Sequence, residues 1–415
     1  MRTKLPAQGR ARGSVFDQMR EMAAGDADWR NGRVPLYVFK ANEEVTAVGR
    51  DAFFEFFAEN ALGAKRAFGS LKRMEDEVVA MALDLFHGPE GAVGNMTTGG
   101  SESIFMAVRA CRDWNRARRG KPRHQGNMVI PYSAHPAFNK AALAMDIDVR
   151  RIPLGPDFRA DPTAMAAAVD DDTILLVGSA PCFPHGVIDP ISELGDLAQR
   201  LGIWLHVDAC VGGYVAPFVR MIGYPVPDFD FTVPGVRSIS ADLHKFGFCP
   251  KPASTVFYRD PEQAKFQVFN IDDWPNGLFS TPTLTGTRPG GAVAAAWATM
   301  QFLGVSGYCN IARGLMTMRD AYVAGIEAIP GLHVWGKPHV SILTWGSEEV
   351  DIFRVAEVLS GKGWIPGLVR KPPALHMMMS MYHETGRKDY LDDLRAAVGV
   401  VRQEPKAKAT IKATY

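Results

Sequence analysis

Four short polar segments carry the residue types that could do chemistry in this chain. The first contains Gly99 and Gly100, in a run from Thr97 to Ser103. Here a tight turn leads into a helix, and the free N–H groups at the start of a helix form a natural seat for a phosphate dianion. An ordinary loop with a serine helix cap explains the run equally well, because short glycine-rich loops are weak evidence on their own.

Two further segments follow strands. Asp208 comes directly after an apolar strand. At that position it either caps a helix or pairs with the protonated nitrogen of a heterocycle that acts as an electron sink. Lys245 follows a polar strand end and stands next to His244. Most lysines are solvated surface charges, whereas a lysine that forms a Schiff base needs a desolvated, neighbour-controlled site. Ser238 and Ser240, on one face of the same extended segment, could bind phosphate oxygens.

The fourth segment is Ser133–His135. Its histidine could cap a helix or stack flat on an aromatic ring, although a structural histidine is the commoner case for such a residue alone. Together the segments form one ordered set, a phosphate loop, a histidine, a strand-end aspartate and a lysine. This order resembles that of the fold-type I pyridoxal phosphate enzymes, and specifically the group that contains the amino-acid decarboxylases.

Longer runs make the resemblance more specific. Four segments resemble the corresponding parts of sphingosine-1-phosphate lyases, namely Ser179–Pro190, His206–Gly213, Ser238–Gly247 and Thr285–Gly291. Common decarboxylases share the histidine, aspartate and lysine, but not the runs Phe183-Pro-His-Gly186 and Gly286-Thr-Arg-Pro-Gly-Gly291. The similarity extends from about Gly32 to Leu394. The chain is therefore identified as a member of the sphingosine-1-phosphate lyase family.

The resemblance implies which residues hold the cofactor, pyridoxal 5′-phosphate. Lys245 would hold it through a Schiff base, Asp208 would pair with the pyridine nitrogen, and His135 would stack on the ring. His244 would contact the cofactor region. The family builds its sites at a homodimer interface, so the expected phosphate contacts come from both subunits: Gly100, Ser101 and Ser240 from one, and Gly286 and Thr287 from the other.

The resemblance also implies residues that act on the substrate. A proton acceptor for the substrate hydroxyl must lie within hydrogen-bond reach. Lys251 matches the family's second lysine, and its neighbour Lys245 could lower its pKa, although a surface lysine is the alternative. Tyr37 aligns with a tyrosine that reaches the active site in these lyases. Arg288 is the expected partner for an anionic substrate group, because a guanidinium matches phosphate or carboxylate geometry, and Asn60 is a further expected substrate contact.

These roles imply cleavage of the Cα–Cβ bond of a 2-amino-3-hydroxy substrate. A sphingoid base 1-phosphate would give a long-chain aldehyde and phosphoethanolamine. The chain departs from the family pattern near the substrate, where Asn60-Ala-Leu-Gly63 stands for Asn-Pro-Leu-His and Cys182 for a glutamine. Gly63 has no side chain to contact a phosphate, so a different 2-amino-3-hydroxy substrate stays open. The alternative activity is amino-acid decarboxylation, which uses the same electron sink.

The elements that must position these residues alternate along the chain. Apolar strands are predicted at Asn127–Pro131, Thr173–Gly178 and Ile203–Val207, and helices at Ala134–Met145 and Ile191–Leu201. Strands that are apolar on both faces and alternate with helices indicate a mostly parallel sheet covered on both sides. Ligands of such sheets sit at the carboxyl ends of the strands.

The predicted fold class is α/β, and the resemblance implies the fold-type I pyridoxal phosphate-dependent transferase fold. Three parts are expected: an N-terminal arm with helices at residues 1–62, a large cofactor-binding domain at 63–310, and a small C-terminal α+β domain at 311–415. The last two follow from a Pro/Gly-rich piece near Pro282–Gly291 and the short mixed strands and helices after it.

Composition excludes several other classes of protein. The 415 residues include 46 basic and 45 acidic ones, so the formal net charge of +1 gives no global field that would attract nucleic acid or an acidic membrane. Five cysteines without a CxxC pair indicate reduced thiols inside a cell. No run approaches the roughly 20 apolar residues that span a bilayer. We therefore expect a soluble, cytoplasmic enzyme with an amine substrate, no membrane span and no metal site.

Overall fold

The structure, a computed structural model, describes residues 3–404 and 406–414. The predicted N-terminal arm and C-terminal domain therefore have a few residues outside the described ones, namely Met1, Arg2, Pro405 and Tyr415. Within the described ranges, no helix is both long enough and apolar enough to cross a membrane.

A large sheet forms the centre of the described part of the chain. Its strands are β1 (Val93–Thr97), β2 (Asn127–Pro131), β3 (Asp148–Ile152), β4 (Thr173–Ser179), β5 (Trp204–Asp208), β6 (Val236–Ala241) and β7 (Ser254–Tyr258). They lie side by side in the order β1-β7-β6-β5-β4-β2-β3. The neighbouring pairs from β6 to β3 are parallel, and β7 runs antiparallel to both β6 and β1. The mostly parallel sheet predicted from the sequence is confirmed.

Helices cover both faces of this sheet. In chain order, the helices of the described residues are α1 (Arg12–Ala23), α2 (Glu43–Glu55), α3 (Gly69–Leu85), α4 (Gly100–Arg119), α5 (Ala137–Met145), α6 (Pro162–Ala167), α7 (Ile191–Leu201), α8 (Ala216–Met221), α9 (Pro261–Ala264), α10 (Gly290–Glu327), α11 (Ile352–Gly361) and α12 (His383–Gln403). Successive residues of a strand point to opposite faces. Accordingly Leu176 belongs to one buried cluster and Leu175 and Val177 to another, which also contains Ile104 and Val108 of α4.

The predicted bounds of β2 and α7 coincide with the observed ones, but α5 begins three residues later than predicted. Pro136 occupies its N-cap position. A proline has no N–H and restricts the residue before it to extended conformations, so it suits the start of a helix rather than the interior. His135 is therefore left on the loop between β2 and α5, at the carboxyl edge of the sheet.

The chain continues into smaller β-structures. A two-stranded hairpin is formed by β8 (Phe269–Ile271) and β9 (Phe279–Thr281). A second sheet consists of β10 (His333–Val334), β11 (Ile342–Gly346), β12 (Gly367–Arg370) and β13 (Pro373–Met378), all antiparallel, in the order β10-β11-β13-β12. The smaller α+β part predicted toward the C-terminus is thus present. The division of the chain after residues 62 and 310 stays a prediction.

Candidate active site

Polar residues gather where the parallel strands end. The register pairs Asp208, the last residue of β5, with Ser179 of β4 on one side and Ser240 of β6 on the other. The segment Asp242–Lys245 directly follows β6. A cavity of about 380 Å³ lies at this edge. Six of the residues predicted from the sequence line it together: Gly100, Ser101, His135, Asp208, His244 and Lys245.

Lys245 forms a buried ion pair in this cavity. Its Nζ lies 3.0 Å from Oδ2 of Asp242, a residue that is only 2% exposed, and Nε2 of His244 lies 3.6 Å from the same oxygen. Burial alone would raise the pKa of Asp242, but the positive charge of Lys245 outweighs it, so the pKa is lowered. Burial likewise works against the charged form of Lys245, yet Asp242 raises its pKa. Both groups are therefore charged near neutral pH.

Asp242 is a site residue for which the sequence predicted no role. It stands three residues before Lys245, immediately after the end of β6. That spacing, an acidic residue one turn before the candidate lysine in a strand-end loop, is the signal that could have found it.

Asp208 presents one free carboxylate oxygen. Its Oδ1 accepts hydrogen bonds from Cys210 N at 3.0 Å and from Ser240 Oγ at 3.4 Å. Its Oδ2 accepts none from the described residues, and the side chain lines the cavity. The residue is 6% exposed. A buried acceptor that is fixed on one side and unused on the other is suited to bind a protonated ring nitrogen.

Ser240 does not line the cavity, and the structure places it beneath Asp208. Trp204 Nε1 donates to Ser238 Oγ at 2.8 Å, His206 Nδ1 lies 2.8 Å from Ser238 Oγ, and His206 Nε2 lies 3.1 Å from Ser240 Oγ. Burial holds the pKa of His206 at about 4, so this ring is neutral. Because β5 and β6 pair in register, these side chains form a continuous polar chain that ends on Asp208. The structure therefore gives Ser240 a contact with this aspartate, in place of the expected contact with a phosphate.

His135 faces the same cavity from the opposite loop. Its Nδ1 accepts a hydrogen bond from Ala137 N at 3.1 Å, which fixes the ring at the start of α5. Its ring centre lies 6.5 Å from that of Phe183, edge to face. Burial lowers its pKa, and Lys245 adds to this effect, whereas Asp208 opposes it. The structure therefore presents a neutral imidazole at the cavity wall.

The glycine loop supplies hydrogen-bond donors. The N–H groups of Gly100 and Ser101, at the first two positions of α4, donate no hydrogen bond within the described residues. A Cβ at Gly100 would lie 2.8 Å from Oδ2 of Asp242 and 2.8 Å from Sγ of Cys210. A larger residue would thus displace the ion-pair partner of Lys245. The helix N-terminus and its two unused N–H groups remain the candidate phosphate seat.

Three other predicted residues form a separate cluster. Asn60 Oδ1 accepts from Leu62 N at 2.9 Å, and its Nδ2 donates to Thr287 Oγ1 at 3.2 Å. Arg288 binds Glu75 through two hydrogen bonds, of 2.6 and 3.2 Å. Because the half-buried carboxylate of Glu75 already holds its guanidinium, the structure does not offer Arg288 as a free partner for a substrate anion. Asn60 likewise anchors the 287–289 segment.

Gly286 and Thr287 do not line the cavity of their own chain, and Thr287 is exposed. Their predicted contact with the phosphate of a second subunit stays a prediction, since one chain is described.

Lys251 lines a different feature, a groove of about 430 Å³ that it shares with Phe39, Phe53 and Phe54. Its side chain is exposed, and partial desolvation of the ammonium, followed by repulsion from Lys245, lowers its pKa. Tyr37 directly precedes residues of this groove, is 52% exposed and has a φ of 69°. Their catalytic roles stay predictions.

Cys182 and Gly63, the two departures from the family pattern, are both closely surrounded by other residues. Cys182 is 1% exposed and does not line the cavity, although its neighbours Pro181 and Phe183 do. Burial raises the pKa of its thiol to about 12. A Cβ on Gly63 would lie 3.2 Å from Cε2 of Phe68, so the phenyl ring fills the space beside this glycine.

Comparisons with known proteins agree with this geometry. The pyridoxal-dependent decarboxylase conserved domain matches residues 64–345. A sphingosine-1-phosphate lyase of Oryza sativa is 41% identical, over 98% of this chain and 76% of the relative. The chain belongs to the sphingosine-1-phosphate lyase family. The solved structure of Burkholderia pseudomallei sphingosine-1-phosphate lyase is 37% identical with a TM-score of 0.92, covering 98% of this chain and 94% of that one. Lactobacillus brevis glutamate decarboxylase, at 20% identity and a TM-score of 0.84 over 97% and 96% of the two chains, shares the fold.

Membership of this family makes pyridoxal 5′-phosphate the cofactor, and the cavity fits it. Lys245 supplies a buried amine, Oδ2 of Asp208 an unused acceptor for the ring nitrogen, and His135 a neutral ring at the cavity wall. The two free N–H groups at the start of α4 are suited to a phosphate. The residues that line the cavity therefore fit the amine-reactive, ring and phosphate parts of the cofactor.

Proposed function

We propose that this protein is a pyridoxal phosphate-dependent lyase that cleaves the Cα–Cβ bond of a sphingoid base 1-phosphate, giving a long-chain aldehyde and phosphoethanolamine. The observation that carries the proposal is the convergence of Lys245, Asp208 and His135 on one cavity at the carboxyl edge of the sheet. Identity of 41% to a sphingosine-1-phosphate lyase over nearly the whole chain favours this reaction over decarboxylation.

Bound at this site, the cofactor supplies an electron sink for the bond that is cleaved. Asp208 would pair with the ring nitrogen and favour its protonated form, because a buried carboxylate favours a positive charge on its partner. The polar chain through Ser240 and His206 keeps this carboxylate in place. Asp242 holds the amine of Lys245 at a fixed point of the cavity.

Lys251 is the residue proposed to accept the proton of the substrate hydroxyl. Its lowered pKa brings a neutral, proton-accepting amine closer to neutral pH than an ordinary lysine would allow. Repulsion from Lys245 is the second cause of this shift, after desolvation. Tyr37 is proposed to approach the substrate from the same side of the molecule.

The proposed substrate has a long hydrocarbon chain, and the groove beside Lys251 is suited to an apolar group. Phe39, Phe53 and Phe54 line it, and Phe54 is 65% exposed. An amine next to an aromatic surface matches a molecule with a polar head and an apolar tail. The Met377–Met379 cluster, by contrast, is buried in the core.

We further propose that two chains form a homodimer with shared active sites, in which Gly286 and Thr287 reach the phosphate of the partner. Exposed apolar side chains on the β8–β9 hairpin, which leads into this segment, support the proposal. A location in the cytoplasm is proposed from the five cysteines, none of which forms a disulfide.

The test is a product assay on purified protein loaded with pyridoxal phosphate. Dihydrosphingosine 1-phosphate is offered, and mass spectrometry is used to look for a long-chain aldehyde and phosphoethanolamine in equal amounts. The unphosphorylated base, offered in parallel, shows whether the phosphate is needed with Gly63 in place of histidine. Absence of both products from visibly yellow protein, with carbon dioxide released from an amino-acid panel, would overturn the lyase proposal in favour of decarboxylation.

A further inference from the structure

Glu102 is a buried carboxylate that the roles described so far do not use. It is the third residue of α4 and is 7% exposed. Its Oε2 accepts hydrogen bonds from Thr98 N at 2.7 Å and Thr98 Oγ1 at 2.6 Å. Its Oε1 accepts from Leu284 N at 2.9 Å, Thr285 N at 3.1 Å and Thr285 Oγ1 at 3.3 Å. One side chain thus joins two segments that are far apart in the sequence.

Each of these segments leads to a predicted phosphate contact. Thr98 lines the cavity, and two residues later Gly100 begins the helix with the unused N–H groups. Thr285 is followed by Gly286 and Thr287. Backbone amides make three of the five hydrogen bonds. The carboxylate therefore fixes the backbone of both segments as well as their side chains.

The bonding pattern uses both carboxylate oxygens of Glu102. All five donors are neutral N–H or O–H groups, and they are divided between the two oxygens. Hydrogen bonds to an ionised acceptor are the strong ones, and a carboxylate can accept at both oxygens. Glutamine has one oxygen and one NH₂ group. In either orientation of its amide, it would point N–H groups at the donors of one segment.

We propose that Glu102 is a positioning residue. It fixes the glycine loop, which serves the cofactor phosphate of its own site, relative to the segment Leu284–Thr287, which is proposed to serve the phosphate of the partner's site. Glu102 also lines the cavity, but both of its oxygens already accept hydrogen bonds from the two segments. The proposal rests on the cofactor site of the proposed function, but it does not depend on which substrate is cleaved.

The test uses Glu102→Gln, with Glu77→Gln as a matched control. Glu77 is a helical glutamate on α3 that accepts from Trp297 Nε1 at 2.7 Å and from Arg73, away from the cavity. Affinity for pyridoxal phosphate is measured by an absorbance titration of cofactor-free protein. Hydrogen exchange of the Thr98, Leu284 and Thr285 amides is measured in the same cofactor-free protein.

Glu102→Gln is expected to weaken cofactor binding about ten-fold, the effect of losing about one strong hydrogen bond, and to speed amide exchange in at least one of the two segments. Glu77→Gln is expected to leave both quantities unchanged. Unchanged cofactor affinity, or weakened affinity with unchanged exchange at all three amides, would overturn the proposal.

A second variant covers the case in which Glu102→Gln folds poorly. Thr285→Val removes only the 3.3 Å hydrogen bond of an exposed side chain and leaves the carboxylate in place. A two- to three-fold weakening of cofactor binding, about what a marginal bond is worth, is expected for it. Full affinity in Thr285→Val, with a misfolded Glu102→Gln, would mean that Glu102 serves the fold alone and would overturn the proposal. Neither readout uses substrate, so failure of the lyase assay is a separate result.

Discussion

At the scale of residues, the properties of the candidate catalytic side chains depend on the residues that contact them. The types and strand-end positions of Lys245, Asp208 and His135 could be predicted from the sequence, because each follows a recognisable element. The pairing of Lys245 with Asp242 could not, since it depends on how the loop after β6 turns back. Likewise, only the register of β5 against β6 shows that Ser240 lies beneath Asp208.

Replacing Lys245 tests the residue that is predicted to hold the cofactor. Lys245→Ala is expected to remove both the yellow absorbance of bound cofactor and all turnover, because no other amine lines the cavity among the described residues. Absorbance spectra and the product assay measure the two effects. Lys265→Ala, at an exposed lysine paired with Glu262, is the matched control and keeps both. Retained turnover in Lys245→Ala would remove this lysine from the mechanism.

The ion pair between Asp242 and Lys245 contributes stability over a defined pH range. In cofactor-free protein, Asp242→Asn is expected to lower the free energy of unfolding by about 3 kcal/mol at neutral pH, because it leaves a buried charge without its partner. Denaturant unfolding of wild type and variant at a series of pH values measures the difference.

The direction of each pKa shift determines the pH range in which the difference in unfolding free energy disappears. The lowered pKa of Asp242 gives stability that is complete above its ordinary value of 3.8 and is lost as the pH falls through the lowered value. The raised pKa of Lys245 gives stability that is complete below its ordinary value of 10.5 and is lost as the pH rises through the raised value. A difference that stays constant below pH 3.8 would contradict the ion pair.

Replacing Lys251 should lower the rate of catalysis without affecting cofactor binding. Lys251→Arg keeps the positive charge but removes a group that can accept a proton near neutral pH, so kcat is expected to fall about 100-fold while the yellow absorbance remains. In the wild type, kcat should rise with pH as Lys251 loses its proton, at a pKa below the ordinary value of 10.5. Persistence of this rise in the variant would assign the base to another residue.

At the scale of elements, one loop connects the cavity to the C-terminal sheet. The loop after β4 contributes Pro181 and Phe183 to the cavity wall. Its Pro184 carbonyl accepts from Thr344 Oγ1 of β11 and lies 2.8 Å from His376 Nδ1 of β13, and its Gly186 carbonyl accepts from His339 N at 3.0 Å. The small sheet therefore sets the position of the cavity wall.

At Gly186 the loop lies too close to the sheet to leave room for a side chain. Its φ is 66°, and a Cβ there would lie 2.4 Å from the carbonyl oxygen of Ile342. Gly186→Ala is therefore expected to cost about 3 kcal/mol of unfolding free energy, more than the roughly 1–2 kcal/mol of backbone strain alone. Gly277→Ala is the control, with a φ of 79° and nothing within 4 Å, and should show only the backbone strain. Equal losses in the two variants, measured by denaturant unfolding, would rule out the steric contact.

At the scale of the whole molecule, the alternation of apolar strands and helices sufficed to predict the mostly parallel sheet. The sequence also located the smaller C-terminal part. One of its antiparallel pairs joins β11 to β13, which are not consecutive in the chain, and local pattern does not specify such partners. The placement of Arg288 against Glu75 was missed for the same reason, since α3 and the start of α10 meet only in the fold.

The exposed β8–β9 hairpin tests the proposed dimer. Trp274 is 49% and Leu278 is 70% exposed, and such apolar side chains on neighbouring positions mark an interaction surface. The double variant Trp274→Asp/Leu278→Asp is expected to shift the protein from dimer to monomer in sedimentation velocity and to weaken cofactor binding. Leu143→Asp, at an 87% exposed leucine on α5, should do neither. A wild-type protein that sediments as a monomer would contradict the shared active site.

The most direct test of the central claim identifies the bond that is broken. Cofactor-loaded protein is given dihydrosphingosine 1-phosphate in D₂O, and the masses of the products are measured by mass spectrometry. Cleavage between Cα and Cβ predicts a long-chain aldehyde without deuterium and phosphoethanolamine with one carbon-bound deuterium, because the former Cα takes one proton from solvent. Lys245→Ala should give neither product. The lyase account would be contradicted if yellow wild-type protein left this substrate intact and, when given amino acids in D₂O, released carbon dioxide and deuterium-labelled amines.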